Sequence, residues 1–232
     1  MARLLYDLCG RDPALRFSPY CWRTKLALAQ KGLEFETIPW RFTDRAPLAA
    51  HGAEKVPLLL DGDRAVSDSW TIAEYLEDTY PDRPSLFGGE GGRALAKFIN
   101  AWADAVLIAG IAKLVVSDIP DLLDPADRDY FVTSREKRFG MKLAQVTADR
   151  DKGVAGFRAA LMPLRMIVRS RPFLHGEAPA YADAIAFGSL QWARCTSAFP
   201  LLEKDDPVHA WRERMLDAHG GIGRNAPAFD IA

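Results

Sequence analysis

Three short stretches of this chain carry residue types able to do chemistry. In Phe17-Ser18-Pro19-Tyr20-Cys21-Trp22-Arg23 a hydroxyl and a thiol stand one helical turn apart. Ser18 fits the N-cap of a helix and Pro19 its first position, so the hydroxyl sits among backbone N–H groups that also favour negative charge. Two roles follow for Ser18. It is either a cap that only stabilises its helix, typically by about 1 kcal/mol, or a donor to an anion held at the same turn. Cys21 reads as a small helix-core residue rather than a nucleophile, since free cysteine behaves as a buried hydrophobe. Asp68-Ser69 forms a second helix start, again either a pair of caps or a pair that recognises a charged ligand. Lys55-Val56-Pro57 places a proline at the beginning of a strand, compatible with an edge or a cis geometry.

These residues can converge only if the elements around them fold in a particular order. Residues 4–8 are an apolar strand candidate. After Ser18, the positions Trp22, Leu26 and Ala29 recur at helical spacing, and Gly32 supplies a left-handed stop. Residues 33–38 read as the next strand and 39–54 as irregular. Residues 57–60 and 64–66 flank Asp61-Gly62-Asp63 as a hairpin. A helix over 69–80 aligns Ile72 with Leu76 and ends at Pro81. The result is a strand-helix-strand unit, then a hairpin and a helix, which is the thioredoxin-like order. Residues 81–92, rich in proline and glycine, have linker composition. Beyond them strand signals disappear. Leu95, Phe98, Ile99, Trp102 and Val106 form an apolar stripe expected to face a core. Further helices are expected near 128–148, 154–170, 181–193 and 207–218, with Pro163 kinking or breaking the second of them. The expected fold class is therefore α/β plus all-α: a domain over 1–80, a linker over 81–92, and a helical bundle over 93–232.

Composition agrees with an ordinary globular protein. The 232 residues are 49% hydrophobic and 26% charged, enough to bury two cores. Thirty basic against thirty-one acidic residues leave a net charge of -1, so nothing drives binding to nucleic acid or to an anionic membrane. The longest apolar run, residues 105–116, is interrupted by Lys113 and falls short of the roughly 18 residues of a membrane span. It reads as a buried helix. The first residues reach Asp7 before a secretory apolar region forms, and a cytoplasmic location is expected. Cys9, Cys21 and Cys195 make neither a disulfide framework nor a zinc spacing. His51, His175, His209 and His219 are equally dispersed, so no metal site is expected.

Four segments, in this order and separation, resemble the cytosolic glutathione transferase superfamily: Ser18-Pro19-Tyr20-Cys21-Trp22-Arg23, Lys55-Val56-Pro57, Asp68-Ser69, and Gly176-Glu177-Ala178-Pro179 with Ala182-Asp183. The resemblance covers essentially the whole chain and is of the serine type. Within the superfamily, residues 17–32, 127–136 and 205–223 are similar to the bacterial beta-etherase group. The resemblance implies that the first domain binds glutathione as cosubstrate, with Pro57 cis and facing the first helix. Ser18 is the implied catalytic residue. Lys55, Val56, Pro57, Asp68 and Ser69 are the implied glutathione-binding residues, Val56 through its main chain, while Lys55 is equally well read as a solvated lysine. Ionising a thiol with a pKa near about 8.5 two units lower takes about 2.7 kcal/mol. A hydroxyl bonded to an anion supplies about 1.5–3 kcal/mol.

The helical domain is then expected to wall a small apolar electrophile, with Trp102 and its helix neighbours, Trp40 and Phe42 all open to either a pocket or a core role. Tyr20 borders the thiol or packs against the second domain, the latter preferred. Attack on the electrophile would expel a leaving group, and the subgroup points to β-aryl ethers. A noncatalytic glutathione- or hydrophobic-ligand-binding protein is the alternative. A thiol oxidoreductase is disfavoured, because the alcohol of Ser18 cannot form a mixed disulfide. A homodimer is also implied. Ala180 stands where the superfamily often has a capping side chain, leaving Asp183 to bond back to backbone donors alone.

Overall fold

The computed structural model describes residues 3–229. Strand β1 (Arg3–Leu8) leads through a loop to α1 (Pro19–Gln30), and β2 (Phe35–Trp40) returns parallel to β1. After the short helix α2 (Ala46–Ala49) come β3 (Leu58–Asp61) and β4 (Arg64–Ser67), antiparallel neighbours. With β3 also antiparallel to β1, the sheet order is β2-β1-β3-β4. Helix α3 (Ser69–Thr79) completes this thioredoxin-like domain.

The second half is helical. A continuous run starts with α4 (Glu90–Trp102), passes through a π-helical segment (Ala103–Ile108) and continues as α5 (Ala109–Val115). Then follow α6 (Pro125–Phe139), α7 (Leu143–Val146), α8 (Arg150–Ala160), α9 (Met162–Val168), α10 (Tyr181–Thr196) and α11 (Pro207–Gly221). The α8–α9 break falls at Leu161 with Pro163 in the first turn of α9, as its missing N–H requires. Backbone dihedrals leave the helical region at Ala218 in α11.

One core runs through both halves, joining Leu5, Leu26, Leu59, Ile72 and Leu76 to Leu107, Ile111, Phe187 and Trp211. Helix α1 lies in the middle, between the sheet and α10. Gly188 of α10 permits the contact, because a Cβ there would lie 2.6 Å from the Pro19 carbonyl oxygen. Being covered on both sides, α1 neutralises its own buried charges: Lys25 Nζ is 2.9 Å from Asp7 Oδ2 on β1 and 3.4 Å above the Trp22 ring.

Several expectations need correction. Strand β2 lies two residues later than the 33–38 expected, and α2 occupies part of the stretch read as irregular. The helix expected over 128–148 is divided, because Gly140 takes φ 70° and ends α6. Glu90 already opens α4, and Leu86 and Phe87 of the expected linker are buried in the core. The largest correction concerns the stripe on α4. Leu95 and Phe98 are 68% and 69% exposed, while Ala96, Ala103 and Leu107 face the core. Ile99 and Trp102 of the stripe do pack against this core, whereas periodicity alone shows that a face is apolar and not what covers it. The expected buried helix at 105–116 is part of a 29-residue helical run, Glu90–Asp118, long and apolar enough to cross a membrane. Its inner face is packed into the core at Ala103, Leu107, Ile111 and Leu114.

Candidate functional site

Ser18 caps α1: its Oγ accepts a hydrogen bond from Cys21 N at 3.3 Å, and the residue is only 4% exposed. That bond uses a lone pair of Oγ, and the hydroxyl also lies close enough to the Cys21 thiol to act on it. Low local dielectric strengthens any such bond. Cys21 is fully enclosed, with its Sγ 3.9 Å from the Tyr6 carbonyl oxygen. Burial first, then the carboxylate of Asp7, pushes the Cys21 thiol well above its ordinary value. It is therefore a protonated core thiol at neutral pH and no nucleophile. Cys9 and Cys195 are also buried and unpaired.

The second and third stretches meet each other. The Val56–Pro57 bond is cis, as expected. Leu58 pairs with both Tyr6 and Ser67, and Asp68 N donates to the Pro57 carbonyl oxygen at 3.3 Å. Pro57 is buried, Val56 half-buried and Lys55 exposed. Asp68 caps α3, its Oδ1 accepting from Trp70 N, Thr71 N and Thr71 Oγ1 at 3.0–3.2 Å. The capping bonds leave Oδ2 unused. Asp68 also holds φ 77° and ψ 131°, a backbone conformation that costs a non-glycine residue about 1–3 kcal/mol and concentrates at functional sites. Ser69 is buried, and its carbonyl oxygen accepts from Tyr181 Oη at 2.7 Å.

That last contact ties the helical half to the site, and sequence reasoning missed it. Tyr181 begins α10, and its start is organised by Asp183, which accepts from Leu174 N, His175 N and Ala180 N. Asp183 also takes the Trp211 indole N–H at 2.9 Å, so its partners are not backbone donors alone. Burial still holds its carboxyl above the ordinary value, against the pull of these donors. Tyr20 packs beneath the Arg23 guanidinium, 4.7 Å from the ring centre. Arg23 in turn donates to Asn100 and Asp104 on the α4 run at 2.9 and 2.8 Å.

On the other side of Ser18 lies an aromatic cluster. Phe42 has Phe17, Trp40, Tyr130 and Phe131 around it, with ring centres 5.7–6.4 Å away. Trp40 is buried and belongs to this core, whereas Phe42 is half-buried. Trp102 is half-buried against the main core. Asp127, 1% exposed near the start of α6, holds the segment after β2 by accepting from Phe42 N, Thr43 N and Thr43 Oγ1 at 3.0, 2.9 and 2.7 Å. Asp127 and Phe131 are four residues apart on one helix face, a spacing that could have pointed to this lock. Two cavities, of about 350 Å³ beside Arg3 and Tyr80 and about 550 Å³ beside Asp118 and Phe199, lie away from the Ser18 turn. Among the described residues no cluster of His, Cys, Asp or Glu is placed to hold a metal.

The family model "Glutathione S-transferase, N-terminal domain" matches residues 13–84, and "Glutathione S-transferase, C-terminal domain" matches residues 94–213. The glutathione S-transferase-like protein ustS of Aspergillus flavus is 32% identical over 143 residues, 56% of this chain and 50% of that protein. The chain thus spans about half the length of that relative. Glutathione S-transferase U28 of Arabidopsis thaliana is 26% identical over 208 residues, 86% of this chain and 81% of that protein. Among solved structures, glutathione transferase GSTFuA3 from Phanerochaete chrysosporium superposes with a TM-score of 0.77 at 25% identity, covering 95% of this chain and 92% of its own. The glutathione S-transferase CsGST63524 of Ceriporiopsis subvermispora, solved in complex with glutathione, reaches 0.80 at 22% identity, over 94% and 96% of the two chains. At that identity the likeness is one of fold.

Proposed function

The chain belongs to the glutathione S-transferase family, and from that premise we propose that it binds glutathione beside α1 and activates the thiol with Ser18 for attack on an apolar electrophile. Residues 1–80 form the glutathione-binding domain in this reading, 81–92 the linker, and 93–232 the helical domain that walls the electrophile. The cysteinyl backbone of glutathione pairs with the Val56 main chain beside Pro57, as an added strand would. Asp68 Oδ2 and Ser69 take the charged γ-glutamyl end, and Lys55 stands near enough in sequence to meet a carboxylate. The Ser18 hydroxyl donates to the thiolate, assisted by the first-turn N–H groups of α1. The sulfur then bonds to an electrophilic carbon while the bond to the leaving group breaks, and its electron pair departs with that group. With a β-aryl ether, the substrate class suggested by the beta-etherase resemblance, the leaving group is a phenolate that takes up a proton.

One observation carries the reading. The hydroxyl of Ser18 caps α1 as an acceptor, a role that does not use its proton, and the neighbouring thiol of Cys21 is sealed in the core with its ionisation suppressed. A donor to a thiolate is thus available, and a protein thiol for disulfide exchange is not. The exposed face of Leu95 and Phe98 supports a homodimer, since contiguous apolar surface of this kind marks an interface. Packing of the inner face of the long α4 run into the core speaks against its crossing a membrane.

The test is turnover against pH for the parent and Ser18→Ala, measured as glutathione consumption with halogenated aromatics and model aryl ethers. Losing a hydroxyl bond to an anion worth about 1.5–3 kcal/mol should raise the apparent thiol pKa by about one to two units. Turnover near neutral pH should fall about 10- to 100-fold, recovering as glutathione ionises by itself. Equal rates for folded parent and variant at every pH would remove Ser18 from the chemistry.

A further inference from the structure

Most of the deeply placed arginines among the described residues meet a carboxylate, and a few, Arg194 and Arg214 among them, meet only a backbone carbonyl oxygen. Arg23 meets Asp104, Arg150 meets Asp118, Arg165 meets Asp206 and Arg212 meets Glu213. Arg194, half-buried, donates to the Gly223 carbonyl oxygen. Arg135 of α6 is different. Its single hydrogen bond is from Nη1 to Ser134 Oγ of its own helix, at 3.0 Å. Among the described residues no carboxylate oxygen lies within ion-pair distance of it. The guanidinium carbon instead sits 4.8 Å from the centre of the Phe131 ring and 5.7 Å from that of Phe42. Burial, its leading influence, holds this group below its ordinary pKa. It nonetheless stays a cation at neutral pH, because arginine starts far above it.

The position is fixed by the lock at the other end of the helix. Asp127, Phe131 and Arg135 recur every four residues and so share one face of α6. Asp127 ties that face to Phe42 and Thr43. Phe42 in turn lies 6.3 Å from Phe17, the residue preceding Ser18. A part-buried guanidinium with N–H donors to spare therefore rests on the aromatic cluster that includes Phe17, the neighbour of Ser18 in sequence. A planar ring has the half-buried Phe42 and the exposed Tyr130 to pack against, and an anionic oxygen on that ring has the Arg135 guanidinium, with Arg138 of the same helix acting on it from nearby.

We propose that Arg135 is a specificity-determining residue that selects aryl electrophiles bearing a carboxylate remote from the reacting carbon. The proposal rests on the transferase reading and names its substrate class. A planar guanidinium binds a carboxylate through two parallel N–H···O bonds, and a site part-shielded by aromatic rings keeps that pair from full solvent screening. The carboxylate is ionised in the ground state as in the transition state. Arg135 should thus act mainly on KM.

The experiment compares two electrophiles of matched reactivity, 1-chloro-2,4-dinitrobenzene and 4-chloro-3,5-dinitrobenzoate, with the parent, Arg135→Gln and Arg135→Lys. The expected result is a ratio of kcat/KM, carboxylate over neutral, that falls about 10- to 100-fold in Arg135→Gln. The change should sit in KM, and Arg135→Lys should recover it in part. Calorimetric titration with 4-chloro-3,5-dinitrobenzoate in the absence of glutathione gives a second readout, with binding weakened by the same factor. If neither electrophile consumes glutathione, the transferase reading fails and the titration alone decides on Arg135. An unchanged ratio together with unchanged binding overturns the proposal, leaving Arg135 a packing residue. A loss confined to kcat and equal for both electrophiles also overturns it, because it would assign Arg135 to leaving-group stabilisation.

Discussion

Replacing Asp127 by alanine tests whether α6 is held over the site by a single carboxylate. Asp127 is 1% exposed and accepts three hydrogen bonds, two from the backbone of Phe42 and Thr43 and one from the Thr43 hydroxyl. Thr43 is exposed and Phe42 half-buried, so water can replace the acceptor for the threonine groups more easily than for Phe42 N–H. One buried donor left unpaired costs about 1–3 kcal/mol, and losing the two charge-assisted threonine bonds to water adds about 1 kcal/mol. The total is about 2–4 kcal/mol. At about 2–4 °C per kcal/mol for a chain of this length, Asp127→Ala should melt about 4–16 °C below the parent at equal scan rate. Asp127→Asn keeps one carbonyl oxygen for Thr43 but turns an NH2 toward Phe42 N–H, and should fall between the two. Amide hydrogen exchange locates the effect, with Phe42 and Thr43 losing protection in Asp127→Ala. A melting point within 2 °C of the parent, with both amides as protected as before, would refute the lock and with it the placement of Arg135.

The buried thiols give a prediction in pH. Burial pushes Cys195 up to about 12 and holds Cys9 and Cys21 above their ordinary values as well. The folded thiols stay protonated while unfolded ones release protons above about 8.5, so their contribution to stability is intact below that pH and is lost progressively from there to about 12. Melting temperature against pH should therefore fall less steeply above pH 9 in Cys195→Ala than in the parent, and equal slopes would contradict the assignment. In the native protein at pH 8 a thiol-disulfide reagent should react far more slowly than in denaturant; one rapid equivalent would show a reactive cysteine. The exposed face of α4 predicts assembly: the double variant Leu95→Glu, Phe98→Glu should elute with the light-scattering mass of one 25.7 kDa chain and the parent with twice that mass. A monomeric parent at micromolar concentration would argue against the homodimer.

What could be seen in the sequence was local chemistry. Ser18 with Pro19 announced a helix start, Pro163 a break, and Val56-Pro57 a proline at a strand start, because each is decided by one residue's own dihedrals or hydrogen bonds. Asp68 as a cap belongs with these, although nothing in its neighbours announced a φ of 77°. Apolar periodicity was a weaker guide. It placed Ile99 and Trp102 of the α4 stripe against the core, where they pack, and put Leu95 and Phe98 there as well, which stand exposed. Gly140 was available as a helix stop, and the apolar residues on either side, Phe139 and Leu143, concealed it. Least legible were the polar residues whose partners lie far along the chain. Asp7 with Lys25, Asp127 with Phe42 and Thr43, and Tyr181 with Ser69 each join segments that only the fold brings together. Arg135 extends the same logic. Its sequence position looks like any helix-surface arginine, and it becomes informative only when the tertiary structure sets the Phe131 and Phe42 rings, and no carboxylate, against it.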